Sequence, residues 1–289
     1  MDKVICVLVL YKPSLTILDK VIDAVIQQVD FLWVSDNTPG GSAGAYDLIS
    51  HYSEKANYFL MDGNEGIARA QNRGIIYALE NGYDFIYFLD QDSISPLGLV
   101  YGLKSKFVSL EHDGINVGGI GPQPINRDTG KRYQANINKG VYIRDDVREV
   151  SEIICSASLV KCQLFKVVGL MDEDLFIDNV DQEICWRSSQ IAGYRFFMIM
   201  SLFLSHKVGE GDHRFLGVSV KIYVPFRMYY QYRNYFYLIR RAYVPIYWKF
   251  SNGVKYFCKF FYCCLFCESK KQYLVNIVKG TFNGLLLKK

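Results

Sequence analysis

The chain has 289 residues, of which half are hydrophobic and seven are proline. This length and composition suffice for one large core, or for one core with an appendage, and they exclude an intrinsically disordered protein. The longest apolar run, residues 196–205, has ten residues, which is too short for the ~20 residues of a bilayer-spanning helix. Eight cysteines without the even spacing of a small secreted scaffold indicate free thiols. We therefore expect a cytoplasmic protein whose membrane contact is peripheral.

Charge is distributed unevenly along the chain. Residues 221–289 contain thirteen Lys and Arg and one acid, Glu268, so the net charge of this segment is +12. Because the net charge of the whole chain is +4, residues 1–220 carry −8. The basic segment is crowded with aromatic residues, as in YYQYRNYFYLIRRAYVPIYWKF. Such a surface suits anionic lipid headgroups or nucleic acid. The acidic body argues against nucleic acid as the main substrate.

Strand and helix patterns alternate in the first third of the chain. The run VICVLVL predicts a buried strand rather than a signal peptide, because Asp2 precedes it and no small-residue cleavage site follows. The predicted elements up to Asp90 are strands at 4–10, 31–36, 57–61 and 84–90, and helices from Leu15 and over 67–80. This alternation indicates an α/β fold around a mixed, mostly parallel sheet. Ligands of such sheets bind beyond the carboxyl ends of the strands, where Tyr11, Asp36 and the 90–92 turn would lie.

The pattern is less regular beyond Pro96. We predict a helix to Leu110, a short strand at 117–120, an irregular polar stretch to about Arg148 and a buried strand at 152–160. No linker precedes Lys221. The predicted organisation is a catalytic domain at 1–220 and a helical, basic and aromatic extension at 221–289.

Two acidic segments are the first candidates for chemistry. FLDQDS places Asp90 and Asp92 at the end of a hydrophobic strand, where a carboxylate pair is costly unless it binds a cation or accepts several hydrogen bonds. Mg²⁺ or Mn²⁺ bound together with substrate phosphates is the ordinary arrangement; the alternative is a solvated turn in which Asp92 caps the next helix. In DEDLFIDNVDQEICWR, a helix from about Asp178 would direct Asp181 into a cleft as a base. The alternative is an acid-rich helix start stabilised by the helix dipole.

Two further segments have polar or small residues at element ends. His206, in SHKVGEG, follows the apolar run and is a candidate ligand of a metal or phosphate, with an ordinary loop histidine as the alternative. NEGIARAQNRGI places Asn64, Gly66 and Asn72, with other small residues, on the first turns of a helix. Such a helix permits close approach of a ligand or of a strand.

The order of these motifs resembles the family-two glycosyltransferases of the GT-A fold, and within them the bacterial rhamnosyltransferases of surface-polysaccharide assembly. The motifs are LYKP, VSDNTP, NEGIARAQNRG, FLDQDS, SASL, VGLMDEDLFIDNVDQEICWR, AGY and SHKVG. The resemblance covers about residues 4–215 and continues into YYQYRN. It implies a GT-A nucleotide-diphospho-sugar transferase fold and an inverting transfer of a sugar to a lipid-linked saccharide in O-antigen assembly. The implied donor is dTDP-L-rhamnose, the acceptor a polyprenyl-diphosphate-linked saccharide, and the place the inner face of the cell membrane.

The resemblance also implies roles for individual residues. Asp181 matches the catalytic base and Glu183 a supporting acid on the acceptor side. Asp36 would contact the nucleotide base. The other implied donor-binding residues are Tyr11, Asn64, Gly66, Arg69, Asn72 and Asp90, and the implied metal ligands are Asp90, Asp92 and His206. Two departures from the family pattern are Ala157, where glycine is usual, and Asn-Thr-Pro after Asp36, where Asn-Gly-Ser is commoner.

Other functions remain as alternatives. A UDP-hexose transferase of the same fold, for example a galactosyltransferase, would need only a different donor pocket, and a non-catalytic sugar-binding member would have lost the metal pair or the base. A Rossmann-type dehydrogenase or methyltransferase needs a glycine-rich turn after the first strand, and Tyr11-Lys12-Pro13 has none. The extension is predicted to be a membrane-surface helix pair, with an oligomer interface as the alternative. Its cysteines, from Cys258 to Cys267, would bind zinc, be acylated or pack.

Overall fold

The computed structural model describes residues 2–126, 130, 132, 140–206, 212–215 and 217–287. The strands are β1 (Val4–Leu10), β2 (Phe31–Asp36), β3 (Ala56–Leu60), β4 (Phe85–Asp90), β5 (Val117–Asn126), β6 (Val141–Arg144), β7 (Val147–Val150), β8 (Ser158–Lys161), β9 (Arg195–His206), β10 (Asp212–Phe215) and β11 (Val218–Lys221). The helices are α1 (Leu15–Ile26), α2 (Ala45–Ser50), α3 (Ile67–Glu80), α4 (Leu99–His112), α5 (Cys162–Val168), α6 (Val180–Ala192), α7 (Pro225–Leu238), α8 (Ile246–Phe266) and α9 (Lys270–Leu286).

The chain divides into two compact units. The first contains Met1–Glu173 and Val180–Lys207, and the second contains Asp174–Asn179 and Val208–Lys289. The predicted division into a catalytic domain at 1–220 and an extension at 221–289 stays a prediction.

A mixed sheet organises the first unit. Within the described residues its strands run in the order β3-β2-β1-β4-β8-β5-β9-β7-β6. The first four strands in this order are parallel to one another, and so are β5 and β9, whereas β8 is antiparallel to β4 and β5, and β7 to β9 and β6. The predicted α/β fold with a mixed sheet is confirmed.

Apolar sequence runs account for the core of this sheet. Every residue of β1 except Val9 is buried, and β4 is buried from Phe85 to Leu89. This pattern is typical of strands that are covered on both faces. Helix α3 lies close to the sheet at Gly74, where a Cβ atom would come within 2.7 Å of the Val7 methyl groups. The small residue in NEGIARAQNRG therefore serves the approach of a strand at this position.

Two predicted segments differ from the structure. The strand predicted at 152–160 begins only at Ser158, because Ala157 has a left-handed backbone (φ 61°) and donates its N–H to the Phe88 carbonyl over 2.7 Å. The stretch predicted as irregular to about Arg148 contains the antiparallel pair β6–β7. The two strands are joined by a turn at 145–146. The charged residues of this stretch obscure the alternating pattern of a hairpin in the sequence.

The second unit is helical over most of its described residues. Three helices, α7 to α9, follow Lys221 there, where a helix pair was predicted. Helix α9 lies directly against the α7 backbone, since a Cβ atom on Gly280 or Gly284 would come within 2.3 Å of an α7 carbonyl oxygen. None of the described helices is both long and apolar enough to cross a bilayer.

The segment 174–179 packs within the second unit through side chains of α7. Its residues 176, 178 and 179 have left-handed backbones with φ between 61° and 66°, although none is glycine. The Asn234 amide nitrogen donates to the carbonyls of Leu175, Ile177 and Asp178 over 2.9, 2.6 and 2.9 Å. These bonds offset the cost of a backbone conformation that side chains disfavour.

Candidate active site

The carboxyl ends of the parallel strands bring the predicted polar residues together. Asp36 ends β2 and pairs in register with Leu10, the last residue of β1. Asp90 ends β4 and pairs with Val9, one residue earlier in β1. Tyr11 follows β1 between them. The convergence predicted from the strand ends is therefore present in the first unit.

The Asp36 carboxylate is buried and organises the turn after β2. Its Oδ1 accepts the Thr38 N–H over 2.9 Å, and its Oδ2 accepts the Ser42 N–H and the Tyr58 hydroxyl, each over 2.7 Å. Burial raises the pKa of Asp36, but the bonds from Tyr58, Thr38 and Ser42 outweigh it and hold the pKa below 3.8. Asp36 is therefore an oriented, ionised carboxylate at the sheet edge.

Tyr11 ties the first strand to the Asp90–Asp92 turn through its backbone. Its N–H donates to Gln91 Oε1 over 2.7 Å, and its carbonyl accepts from Gln91 Nε2 over 3.1 Å. The next residue, Lys12, donates its N–H to Thr38 Oγ1 over 2.8 Å. The loops after β1, β2 and β4 are thus fixed to one another, and the Tyr11 ring is exposed.

Asn64 and Gly66 shape the loop before α3. The Asn64 Oδ1 accepts from Asn37 Nδ2 over 3.0 Å and from the Gly66 N–H over 3.3 Å. Gly66 precedes α3 with φ 87°, a conformation in which glycine avoids strain. Both residues connect the turn after β2 to the start of α3.

Arg69 and Asn72 reach the segment before Asp174. The Arg69 guanidinium pairs with Glu65 over 3.0 Å and with Glu173 over 2.7 Å, and it is exposed to solvent. Asn72 is buried, and its amide nitrogen donates to the Met171 carbonyl and to Glu173 while its oxygen accepts the Met171 N–H. Both residues anchor Glu173. If Arg69 bound the nucleotide-sugar donor, that contact would compete with its ion pairs to Glu65 and Glu173.

Asp90 and Asp92 differ in their surroundings. Asp90 is half-buried, its N–H donates to Ser156 Oγ over 3.4 Å, and Ser156 donates to the Ser93 hydroxyl over 3.0 Å. Asp92 is exposed, and the residue at the N-cap of α4 is Gly98. The alternative in which Asp92 caps that helix is therefore wrong.

Asp181 lies in the first turn of α6 in a poorly solvated position. Part of its surface is accessible, yet protein atoms surround the carboxyl group closely. Removal from water raises the pKa of Asp181 to about 6, against the backbone hydrogen bonds of Gln182, Asp181 and Cys155, and the charge of Asp90 raises it further. A carboxylate with a pKa near 6 is suited to accept a proton at neutral pH.

A small cleft lies beside Asp181 in the first unit. Asp181 and Gln182 form one wall, and Glu152, Ile154 and Met198 contribute to the others. The cleft is mainly apolar with carboxylates at its edge. Asp181 and Glu152 are the carboxylates among its lining residues.

Glu183 occupies a different environment from Asp181. Its carboxylate is fully buried and receives two hydrogen bonds from Arg187, over 2.7 and 3.0 Å. Arg187 also donates to the carbonyls of Val168 and Leu170. Glu183 and Arg187 therefore join α6 to the end of α5, and the pair is placed to support the helix that carries Asp181.

The residues at the end of β4 suit a hard divalent cation. Asp90 and Asp92 supply carboxylate oxygens, the ligands that Mg²⁺ and Mn²⁺ prefer. No group of three or more possible ligands is assembled among the described residues, so the remaining ligands would come from a diphosphate, as is ordinary for Mg²⁺. His206 ends β9, but its side chain lies outside the described part of the chain. Because no such group of ligands is assembled among the described residues, the zinc interpretation of the tail cysteines is without support.

The sequence did not single out Ser156, Tyr58 or Gln91. Ser156 is buried at the Asp90 backbone, Tyr58 binds Asp36, and Gln91 binds Tyr11. The signal for Ser156 was its place in the SASL motif. The signal for Gln91 was its position between the two acids of FLDQDS.

Comparison with known proteins identifies the family of the chain. Residues 6–169 match the family described as Glycosyl transferase family 2. The chain is 34% identical over 256 residues to a dTDP-rhamnosyl transferase, RfbF, of Shigella flexneri, covering 85% of this chain and 82% of that protein. The predicted resemblance to rhamnosyltransferases is confirmed.

Solved structures share the fold. The S. aureus TarS (1-349) structure superposes with a TM-score of 0.62 at 11% identity, covering 98% of this chain and 81% of that one. GalNAc-T7 with UDP, GalNAc and Mn²⁺ superposes with a TM-score of 0.57 at 16% identity, covering 90% of this chain and 56% of that one. At these identities the likeness is one of fold. Because the family match spans more than half of its residues, the chain belongs to glycosyl transferase family 2 and is a glycosyltransferase.

Proposed function

We propose that this enzyme transfers L-rhamnose from dTDP-L-rhamnose, with inversion, to a polyprenyl-diphosphate-linked saccharide in O-antigen assembly at the inner face of the cell membrane. The single observation that carries the proposed mechanism is the Asp181 carboxyl, whose pKa is raised to about 6 beside the strand end that carries Asp90. The 34% identity to a dTDP-rhamnosyl transferase supports the donor.

The proposed base acts on the acceptor. The acceptor hydroxyl loses its proton to Asp181 as its oxygen attacks the anomeric carbon, and the bond to the diphosphate breaks on the opposite face. A positioned carboxylate contributes about 10² to 10⁴ in rate. Attack opposite the leaving group turns a β-linked donor into an α-L-rhamnoside. Glu183 and Arg187 keep α6, and with it Asp181, in position.

The donor is proposed to lie along the ends of β1, β2 and β4. Asp36 is the proposed contact of the nucleotide base, and its bonds from Thr38, Ser42 and Tyr58 hold the carboxylate in one orientation. Asp90 and Asp92 would hold a divalent cation, with His206 as the third predicted ligand, and that cation would offset charge developing on the diphosphate. Gly66, whose own N–H bonds to Asn64, has no side chain and would let the donor approach the start of α3 closely.

The membrane is proposed to bind the second unit. Phe250, Val254, Phe257, Phe261 and Leu265 lie at helical spacing along α8, and each is exposed. An exposed apolar stripe on a basic segment is typical of helices that lie in the membrane interface. Each basic residue near an anionic surface adds about 1 kcal/mol of attraction.

The test is a transfer assay with purified full-length enzyme. A synthetic polyprenyl-diphosphate saccharide is incubated with dTDP-L-rhamnose or with UDP-hexoses, and product mass and anomeric coupling are read. We expect transfer from dTDP-L-rhamnose and an α-linked product. Transfer from a UDP-hexose alone would reject the donor, and a β-linked product would reject inversion.

A further inference from the structure

A large apolar groove lies in the second unit, between α7, α8 and α9. Its volume is about 550 Å³, which is within the range of small-molecule sites, about 300–1,000 Å³. Helix α8 contributes Phe257 and Phe261 to the walls, and α9 contributes Val278 and Phe282. At 1.5 Å per residue, the stretch of α8 from Gly253 to Phe261 gives the groove a length of about 12 Å.

The walls offer ring faces and methyl groups but little hydrogen bonding. The hydroxyls of Tyr232 and Tyr235, both in the wall, donate to the carbonyls of Tyr256 and Lys249 over 2.5 and 3.0 Å. Their rings therefore face the groove while their polar atoms bond to α8. A sugar, a nucleotide or a peptide backbone would lose its hydrogen bonds to water there without replacement. The chemistry selects a hydrocarbon.

The groove opens on the apolar face proposed for the membrane. Phe257, Phe261, Val278 and Phe282 line it and are also exposed. Helices α8 and α9 carry six lysines and no acid. Lys259 is buried and bonds to Gln231, and the other five are at least partly accessible. An occupant with a hydrocarbon chain and a negatively charged headgroup matches both features.

We propose that this groove binds the polyprenyl chain of the lipid-linked acceptor and so selects acceptors by their lipid. A polyprenyl diphosphate has one chain, which suits a single channel, whereas a glycerophospholipid has two. The inference rests on the proposed lipid-linked acceptor. At a length of about 12 Å, the groove would hold only one section of the polyprenyl chain.

Gly253 lets α7 and α8 approach closely in the wall of the groove. A Cβ atom at this position would come within 2.6 Å of the Tyr235 hydroxyl, whose bond to Lys249 fixes the ring. Thr281, on the α9 wall, is half-buried and small, so a larger side chain there would take up groove volume.

The experiment uses two matched substitutions on α9. Val278 lines the groove and is 41% exposed, whereas Leu274, one turn earlier and 42% exposed, does not line it. Binding of geranylgeranyl diphosphate to the full-length protein is measured by calorimetry, with inorganic diphosphate as a headgroup control. We expect Val278→Trp to weaken prenyl binding at least tenfold and Leu274→Trp to leave it within twofold. Circular dichroism verifies folding, and Thr281→Phe is a second blocking variant.

Three results would overturn the proposal. One is equal prenyl binding by the blocking and control variants, or binding that inorganic diphosphate reproduces. Another is cross-linking of the groove by a photoreactive phospholipid in vesicles as strongly as by a photoreactive prenyl diphosphate. The third is a concentration-dependent dimer that Val278→Trp abolishes and Leu274→Trp does not, which would make the groove an interface between copies.

Activity separates this inference from the proposed function. Val278→Trp should raise KM for a long-chain acceptor at least tenfold and leave KM for a short alkyl acceptor unchanged. If neither acceptor is used by the unaltered enzyme, the proposed function fails, while the binding measurements still test the groove. A KM that rises equally for both acceptors would contradict recognition of the chain.

Discussion

Replacing Asp181 with Asn should have opposite effects on activity and on stability at neutral pH. The side chain keeps its shape but loses the ability to accept a proton, so turnover should fall by about 10² to 10⁴. The same substitution removes a carboxylate that is costly to ionise in its site. In the folded protein the pKa of Asp181 is about 6, against an ordinary value of 3.8.

The sign of the stability effect follows from this pKa. Because the folded state binds the proton more tightly than the unfolded state, ionisation of Asp181 destabilises the fold as pH rises from about 4 through 6. At 1.36 kcal/mol per pKa unit the cost is at most about 3 kcal/mol above pH 7. Asp181→Asn removes this ionisation cost, although the amide loses part of the backbone hydrogen bonds that the carboxylate accepts. We therefore expect the variant to be about 1–3 kcal/mol more stable at pH 7.5. Near pH 4 the difference should approach zero.

Urea unfolding at pH 7.5 and pH 4.5 measures the stability effect, and a pH profile of turnover measures the activity effect. Unaltered enzyme should lose activity below pH 6, with about a tenth of its plateau remaining at pH 5. Asp47→Asn, an exposed carboxylate in α2, is the control and should change neither quantity appreciably. Near-normal turnover of Asp181→Asn, or a stability loss that is the same at both pH values, would refute the reasoning.

Four further substitutions test other parts of the structure. Asp92→Ala should reduce Mn²⁺-dependent donor binding at least tenfold in calorimetry, and full activity in excess chelator would contradict the metal site. Arg187→Met leaves Glu183 charged, buried and without its main partner, so unfolding free energy should fall by about 3–5 kcal/mol in urea titrations; a loss below about 1 kcal/mol would disagree. Asn234→Ala should speed amide hydrogen exchange in the loop before α6 by at least tenfold, because about 1–3 kcal/mol of hydrogen bonding is lost. Phe250→Glu, at a side chain 75% exposed, should abolish sedimentation with anionic vesicles and leave thermal stability unchanged.

The strand ends could be predicted from sequence because each depends on a local pattern. A continuous apolar run followed by an acid identifies a buried strand and its end, and parallel strands place their carboxyl ends at one edge. Asp36 and Asp90 therefore appear as neighbours across β1, as expected. The pairing of Glu183 with Arg187 was also accessible, since the two residues are four apart on a helix.

The partners of Arg69 and Asn72 could not be predicted in the same way. Glu173 is 104 and 101 positions away from them, respectively, and only the tertiary fold brings these side chains together. The start of β8 depends on Ala157, whose left-handed backbone is not a property of alanine but of the bond from its N–H to Phe88. Where tertiary contacts override local preference, sequence patterns fail.

The motif YYQYRN has a structural role in the second unit. Tyr230 stacks on Phe176 with ring centroids 4.5 Å apart, and Asn234 donates to three carbonyls of the segment 174–179. Upstream in α7, Arg227 pairs with Asp178 over 2.7 Å. Such contacts over-determine a segment with several left-handed residues, each of which costs about 1–3 kcal/mol.

The segment that α7 holds in this way ends at Asn179, and the next residue begins α6. Removing the tail would therefore take away the hydrogen-bond donors of residues 174–179 together with the exposed apolar face of α8. An inactive truncated chain would not report membrane binding, because loss of order before α6 would have the same result. Phe250→Glu alters only the apolar face and Asn234→Ala only the segment. If vesicle binding falls in the first variant alone and hydrogen exchange rises in the second alone, the two roles of the tail are separate.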